Sequence, residues 1–205
     1  MGIVARKEKQ KQEIRQLILD ASMKLFVEEG FSHVSVRKIA ERIQYSPTTL
    51  YLYFKDKNEI LFHCCESGFE KMLEQNKSLA LIGNPLERLH QMGINYLNFG
   101  LTNPEYYDLM FIQDAPMARI NEMGEGWSSG DQALEFLKII IKEAMDKDLL
   151  IPAKVETVAL AVWGMVHGLV SLATRQRLDK LVSSHEMEQT MHDSLDWLLK
   201  TMKKA

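Results

Sequence analysis

Between Ser46 and Lys57 the chain carries Ser46, Thr48, Thr49, Tyr51, Tyr53, Lys55 and Lys57, interleaved with Leu50 and Phe54. Hydroxyls, phenols and ammonium groups at the start of a helix suit phosphate oxygens and base edges in a major groove. The templates of catalysis are missing. There is no Gly-rich phosphate loop, no G-x-S-x-G, and no Ser/His/Asp set close together in the sequence, so an enzyme is not expected. The histidines (His33, His63, His90, His167, His185, His192) lack metal-ligand spacing. Even His185 and His192 stand two turns apart, about 10 Å along a helix. No metal and no cofactor is expected. Cys64-Cys65 is not a CxxC motif; adjacent helical residues point about 100° apart, so one thiol is expected to be buried and inert.

The elements that must hold those groups can be read from periodicity. Val36, Ile39, Ala40 and Ile43 fall at i, i+3, i+4 and i+7, the stripe of a short amphipathic helix. Ser35 stands before it as N-cap. Gln44-Tyr45 makes a turn, and Ser46-Pro47 opens a second helix with a hydroxyl at N-cap and proline at N1. Leu50 and Phe54 face inward, which turns Thr48, Thr49, Tyr51, Tyr53, Lys55 and Lys57 outward. This is a helix-turn-helix with Ser46–Leu52 as recognition helix. A supporting helix over about 8–29 precedes it, with Ile14, Leu17, Ile18, Ala21, Leu25 and Phe26 inward and Gly30 as its stop. The basic leading end of that helix (Arg6, Lys7, Lys9, Lys11) is able to reach an adjacent groove or backbone.

These residues resemble the DNA-binding domain of the TetR family of transcriptional repressors. The likeness rests on EEGF at Glu28–Phe31 ahead of Ser35, then VRKIAERI, then S-x-x-T-L-Y-x-Y-F-x-x-K, over roughly the first third of the chain. Pro47, Thr48 and Thr49 are the candidate base contacts. Ser35, Arg37, Ser46, Tyr51, Tyr53 and Lys57 are the candidate phosphate contacts. Two positions depart from the family. Gln44 stands where the family usually has Gly, and a left-handed backbone there costs a non-glycine residue about 1–2 kcal/mol. Thr48 stands where Gly is frequent and adds a side chain to the groove face.

The 205 residues are 46% apolar, enough for one or two small domains with a core. The net charge of −3 hides an asymmetry. Residues 1–57 carry 11 Lys+Arg against 7 Asp+Glu, and residues 58–205 carry 14 against 21. A basic head on an acidic body points to a nucleic-acid contact at one end. No secretory signal is read at the start and no disulfide is expected, so the cytoplasm is the expected location. Thr157–Thr174 is free of formal charge and at the lower edge of spanning length. It carries Thr157, His167 and Ser171 and has no companion segment, so a buried core helix is expected and no membrane partner.

No strand-like alternation persists, so the fold is expected to be all-α with about nine helices. Residues 1–56 form the DNA-binding domain and 57–205 a helical ligand-binding and dimerisation domain. Helices are expected over about 57–78, 85–101, 131–147, 155–175 and 184–203, with another opened by Asn103-Pro104. Asn121–Gly130 is expected as a loop. The helix from Lys57 joins head to body and is the expected switch.

Residues 85–175 are dense in Met and aromatics, which suits either a plain core or a cavity for irregular apolar molecules. Tyr96, Tyr107, Met110, Trp127, Trp163 and His167 are the candidate contacts to a small-molecule effector. A single helix-turn-helix makes few contacts, so a homodimer on two half-sites of operator DNA is expected. The resemblance implies that the last two helices pack against those of a second copy as a four-helix bundle. Trp163-Gly164 and His167-Gly168 resemble one subset of such C-terminal domains. Gly164, Gly168, Leu195, Trp197 and Leu198 are the candidate interface residues. The reading is a homodimeric repressor released from operator DNA by a largely apolar ligand. A regulator of the same fold controlled by a protein partner or by no ligand stays open, as does a helical enzyme or carrier.

Overall fold

The computed structural model describes residues 3–113 and 128–204. Among them are nine α-helices and no strand: α1 (Ile3–Glu29), α2 (Val36–Arg42), α3 (Pro47–Leu50), α4 (Lys57–Gln75), α5 (Pro85–Thr102), α6 (Pro104–Phe111), α7 (Ser128–Asp146), α8 (Val155–Thr174) and α9 (Met187–Met202). The all-α class matches the expectation. The helices group into two compact units, 3–68 with 105–113 and 69–104 with 128–204. The boundary between these compact units falls inside α4.

In the first unit, α1 ends where Gly30 takes φ 81° and donates its N–H to the Phe26 carbonyl at 3.0 Å. Ile18, Leu25 and Phe26 are buried, as are Val34, Ile39, Ala40, Leu50 and Phe54 from the helices that follow. One position of the expected α1 stripe is corrected. Leu17 is exposed and Leu19 takes its place inside, because a second row of α1 packs beneath Cys64, whose thiol donates to the Leu19 carbonyl at 3.6 Å. Both cysteines are buried. Burial pushes the Cys64 and Cys65 thiols up, so neither is a ready nucleophile.

In the second unit, Asn84 caps α5 by accepting the Leu86 N–H at 2.9 Å, with Pro85 at the first helical position. Close approach is bought with glycine: a Cβ on Gly93 would stand 2.6 Å from Leu195, and one on Gly100 would stand 2.3 Å from Val170. Arg88 donates to Glu143 at 2.7 Å, fastening α5 to α7, and to the Ile82 carbonyl through Nε at 3.1 Å and Nη2 at 2.7 Å.

Several boundaries and faces differ from expectation. α1 starts at Ile3, because its leading residues are mostly good helix formers with no breaker among them. α7 begins at Ser128 and takes in Gly130, so the expected loop loses its last residues; 121–127 lie outside the described residues. On α7 the sequence pattern puts Leu134, Leu137, Lys138, Ile141 and Met145 near one face, whereas Leu134 is exposed and the buried row is Ala133, Leu137, Ile140, Ile141 and Ala144. The apolar helix α8 is not a fully buried core helix. Val158, Ala159, Val162, Val166 and Val170 face in, while Leu160, Trp163 and Leu172 face out. By length and composition alone it is also apolar enough to cross a membrane.

Candidate functional site

The helix-turn-helix is assembled by caps. Ser35 accepts the Lys38 N–H at 3.2 Å and starts α2; Ser46 accepts the Thr49 N–H at 3.1 Å and starts α3. Between them Gln44 takes φ 60°, the left-handed conformation anticipated at that turn. α3 is a single turn continued by bent chain through Tyr53, and Leu50 and Phe54 anchor it beneath. Ion pairs fix α2 to the end of α1: Arg42 to Glu28 at 2.8 Å, and Lys38 to Glu29.

The anticipated DNA-facing residues all lie in the first unit. Ser46, Thr48 and Tyr51 are exposed, and Pro47, Thr49 and Tyr53 are half-buried. Several are partly engaged within the chain. The Thr49 hydroxyl lies 2.9 Å from that of Ser46, Arg37 donates to Glu41 at 3.0 Å, and the Lys57 ammonium donates to the Phe31 carbonyl at 2.7 Å. Lys57 also lies 4.1 Å from the centre of the Phe31 ring, and burial lowers its pKa. An ammonium has three donors, so anchoring by Phe31 leaves others to point outward.

Two features of this region were not assigned from sequence. Leu52 is 76% exposed within the recognition turn, an apolar side chain among hydroxyls. The N-terminus of α4 is capped by two side chains, in a variant of the capping box. Asp56 accepts the Glu59 N–H at 2.9 Å, and Glu59 reaches back to the Lys55 N–H. The D-x-x-E spacing of Asp56 and Glu59 carried that signal.

The anticipated effector residues separate between the units. In the second, the Trp163 indole N–H donates to the Tyr96 oxygen at 3.4 Å, and that oxygen lies 3.1 Å from His167 Nδ1. Burial, aided by the Arg175 guanidinium, lowers the His167 pKa, and the tautomer of the ring sets which of the Tyr96 hydroxyl and Nδ1 donates. Tyr107 and Met110 lie in the first unit, both buried; the Tyr107 ring packs 5.4 Å from Phe111. Trp127 lies outside the described residues.

Of the anticipated interface residues, Gly164 and Gly168 would meet nothing within 4 Å of an added Cβ, and Trp197 is 68% exposed. Leu198 is half-buried. Leu195 is a correction: it is fully buried against Gly93 inside its own chain and has no outward surface to offer. Trp197 stands two residues further along α9, on its outward side.

Residues 18–64 match the family described as bacterial regulatory proteins, tetR family. Residues 89–202 match the tetracyclin repressor-like C-terminal domain. The HTH-type transcriptional regulator AcrR of Shigella flexneri is 34% identical over 113 residues, which are 53% of this chain and 52% of that protein. The chain thus spans about half the length of that relative. A protein of unknown function from Rhodococcus sp. RHA1 shares the fold with a TM-score of 0.75 at 18% identity, over 93% of this chain and 95% of its own. A TetR/AcrR-family regulator from Thermobifida fusca does so with a TM-score of 0.65 at 20% identity, over 89% and 96%. The C-terminal match alone covers more than half of the chain, and the N-terminal match takes in the helix-turn-helix. The chain belongs to the TetR family of bacterial regulatory proteins.

Proposed function

We propose that the chain is a homodimeric, cytoplasmic DNA-binding repressor that leaves its operator when a small, largely apolar ligand occupies its C-terminal part. The observation that carries this reading is the α3 turn. It is capped by Ser46, anchored by Leu50 and Phe54, and presents Thr48 and Tyr51 to solvent. Thr48, Thr49 and Pro47 touch bases; Ser35, Arg37, Ser46, Tyr51, Tyr53 and Lys57 hold phosphates. Residues 1–56 are the DNA-binding part and 57–205 the effector and dimer part.

Dimerisation is supported by the outward apolar row of α8 (Leu160, Gly164, Gly168, Leu172) and by Trp197, a surface that a second copy would cover. The effector role is supported by the Trp163–Tyr96–His167 chain, in which the polar tips of three aromatic side chains meet. Because α4 is unbroken from Lys57 to Gln75, a ligand that favours one setting of its far end shifts the population of DNA-competent heads. Linkage then requires operator DNA to weaken the ligand by the same factor.

The test begins by selecting duplexes from a random pool with the purified protein, then titrating variants on selected and scrambled duplexes. Tyr51→Phe is expected to weaken both alike. Thr49→Ala is expected to relax discrimination at one base position, by about 1–3 kcal/mol. Failure to enrich any sequence defeats the reading.

A further inference from the structure

α1 is longer than its packing requires. From Val4 onward its first buried side chain is Ile18, and every residue from Val4 to Glu13 is exposed. From Ile3 to Ile14 that is about 17 Å of helix standing clear of the core. The family match begins only at residue 18, so the overhang lies outside it.

The overhang has a defined polarity. Ile18, Ile14, Lys11 and Lys7 follow one another at steps of four, three and four, so the stripe that packs inward at Ile18 continues outward as lysine. Arg6 and Lys9 flank that row. Lys9 pairs with Glu13 at 3.8 Å, whereas Arg6, Lys7 and Lys11 have no ion-pair partner among the described residues. The arrangement is poor for an isolated helix. Lys7 and Lys11 repel at i, i+4, and no acidic residue occupies the first turn, where the helix dipole favours negative charge. An external anion would relieve both defects.

Its position says which anion. The Arg15 guanidinium sits 4.8 Å from the centre of the Phe54 ring, and Phe54 directly follows Tyr53 of the recognition turn. Lys11 is one turn before Arg15, about 6 Å along the axis. The row of cations therefore starts beside the end of the element that reads the groove.

We propose that the α1 overhang grips phosphates of the duplex outside the half-site read by α3, with Lys7 and Lys11 as the main contacts and Arg6 beside them. This rests on the DNA-binding reading above. The contact adds affinity without sequence preference, since phosphates are alike at every step.

The test uses the full chain and a duplex selected by the wild type, with long flanks. Each phosphate contact contributes about 0.9 to the slope of log affinity against log salt. Lys7→Gln/Lys11→Gln is expected to make that slope shallower by about 2 per bound protomer. It should weaken binding at least about tenfold at low salt and leave the ratio of selected to scrambled duplex unchanged. Lys142→Gln/Lys200→Gln in the second unit removes the same charge and is expected to change neither. Hydroxyl-radical protection in the flank should retract in the α1 variant. A wild-type slope in that variant overturns the proposal, and so does a shallower slope with unchanged flank protection, which would mean a long-range field without contact. If the wild type selects no duplex at all, the DNA-binding reading itself has failed; if it selects one and the α1 variant behaves as wild type, only this inference has.

Discussion

Gln44 shows how one side chain carries a local penalty for a turn the fold requires. At φ 60° it occupies the region that disfavours a Cβ by about 1–2 kcal/mol. Glycine removes that strain but loses about 0.5–1 kcal/mol to the greater freedom of the unfolded chain. Gln44→Gly is therefore expected to stabilise the protein by about 0.5–1 kcal/mol, read as a higher thermal midpoint; a lower midpoint would refute the strain. Two histidines make a second residue-scale prediction. Burial lowers the pKa of His63, aided by Arg15, and that of His167, aided by Arg175. As pH falls below the ordinary imidazole value the unfolded chain takes up protons first, so stability declines until the folded values are passed. Denaturant midpoints at pH 7.5 and 5.5 should differ, and His63→Gln or His167→Gln should each reduce the difference.

At the scale of the helix, packing separates glycines that look alike in sequence. Gly164 and Gly168 have open space where a Cβ would stand, while Gly93 and Gly100 hold α5 against Leu195 and Val170. Gly93→Ala is expected to destabilise by about 1–3 kcal/mol through overpacking. Leu195→Ala is expected to cost about 2–5 kcal/mol through the cavity it leaves. The added methyl and the cavity occupy the same place, so the double variant should be more stable than the sum of the two losses predicts. Simple additivity in that cycle would show that the two residues do not press on each other. Gly164→Ala, by contrast, is expected to leave the folded chain unstrained, and the greater helix propensity of Ala favours it slightly.

For the whole molecule, the outward row of α8 and the exposed Trp197 make assembly the property to test. Leu160→Glu/Trp197→Glu is expected to keep the helical content and yield monomers by sedimentation, with loss of tight operator binding. Dimers of undiminished affinity would place the interface elsewhere. The helix-turn-helix was legible in sequence because it is built from local chemistry: Ser35 and Ser46 cap neighbours three residues ahead, Pro47 fixes φ, and Leu50 and Phe54 repeat at helical spacing. The all-α class followed from the same short-range periodicity. Which side of an apolar helix faces the core is a different kind of fact, because it depends on elements distant in the chain. Hence α8 could not be divided into inward valines and an outward Leu160–Leu172 row from its own composition, and Leu195 could not be told from Trp197 as inward or outward. Nor could Tyr107 be parted from Tyr96, since hydropathy is the same whichever unit a side chain joins. Caps, turns and periods were determined by neighbouring residues; burial and partnership were decided only when separate helices met.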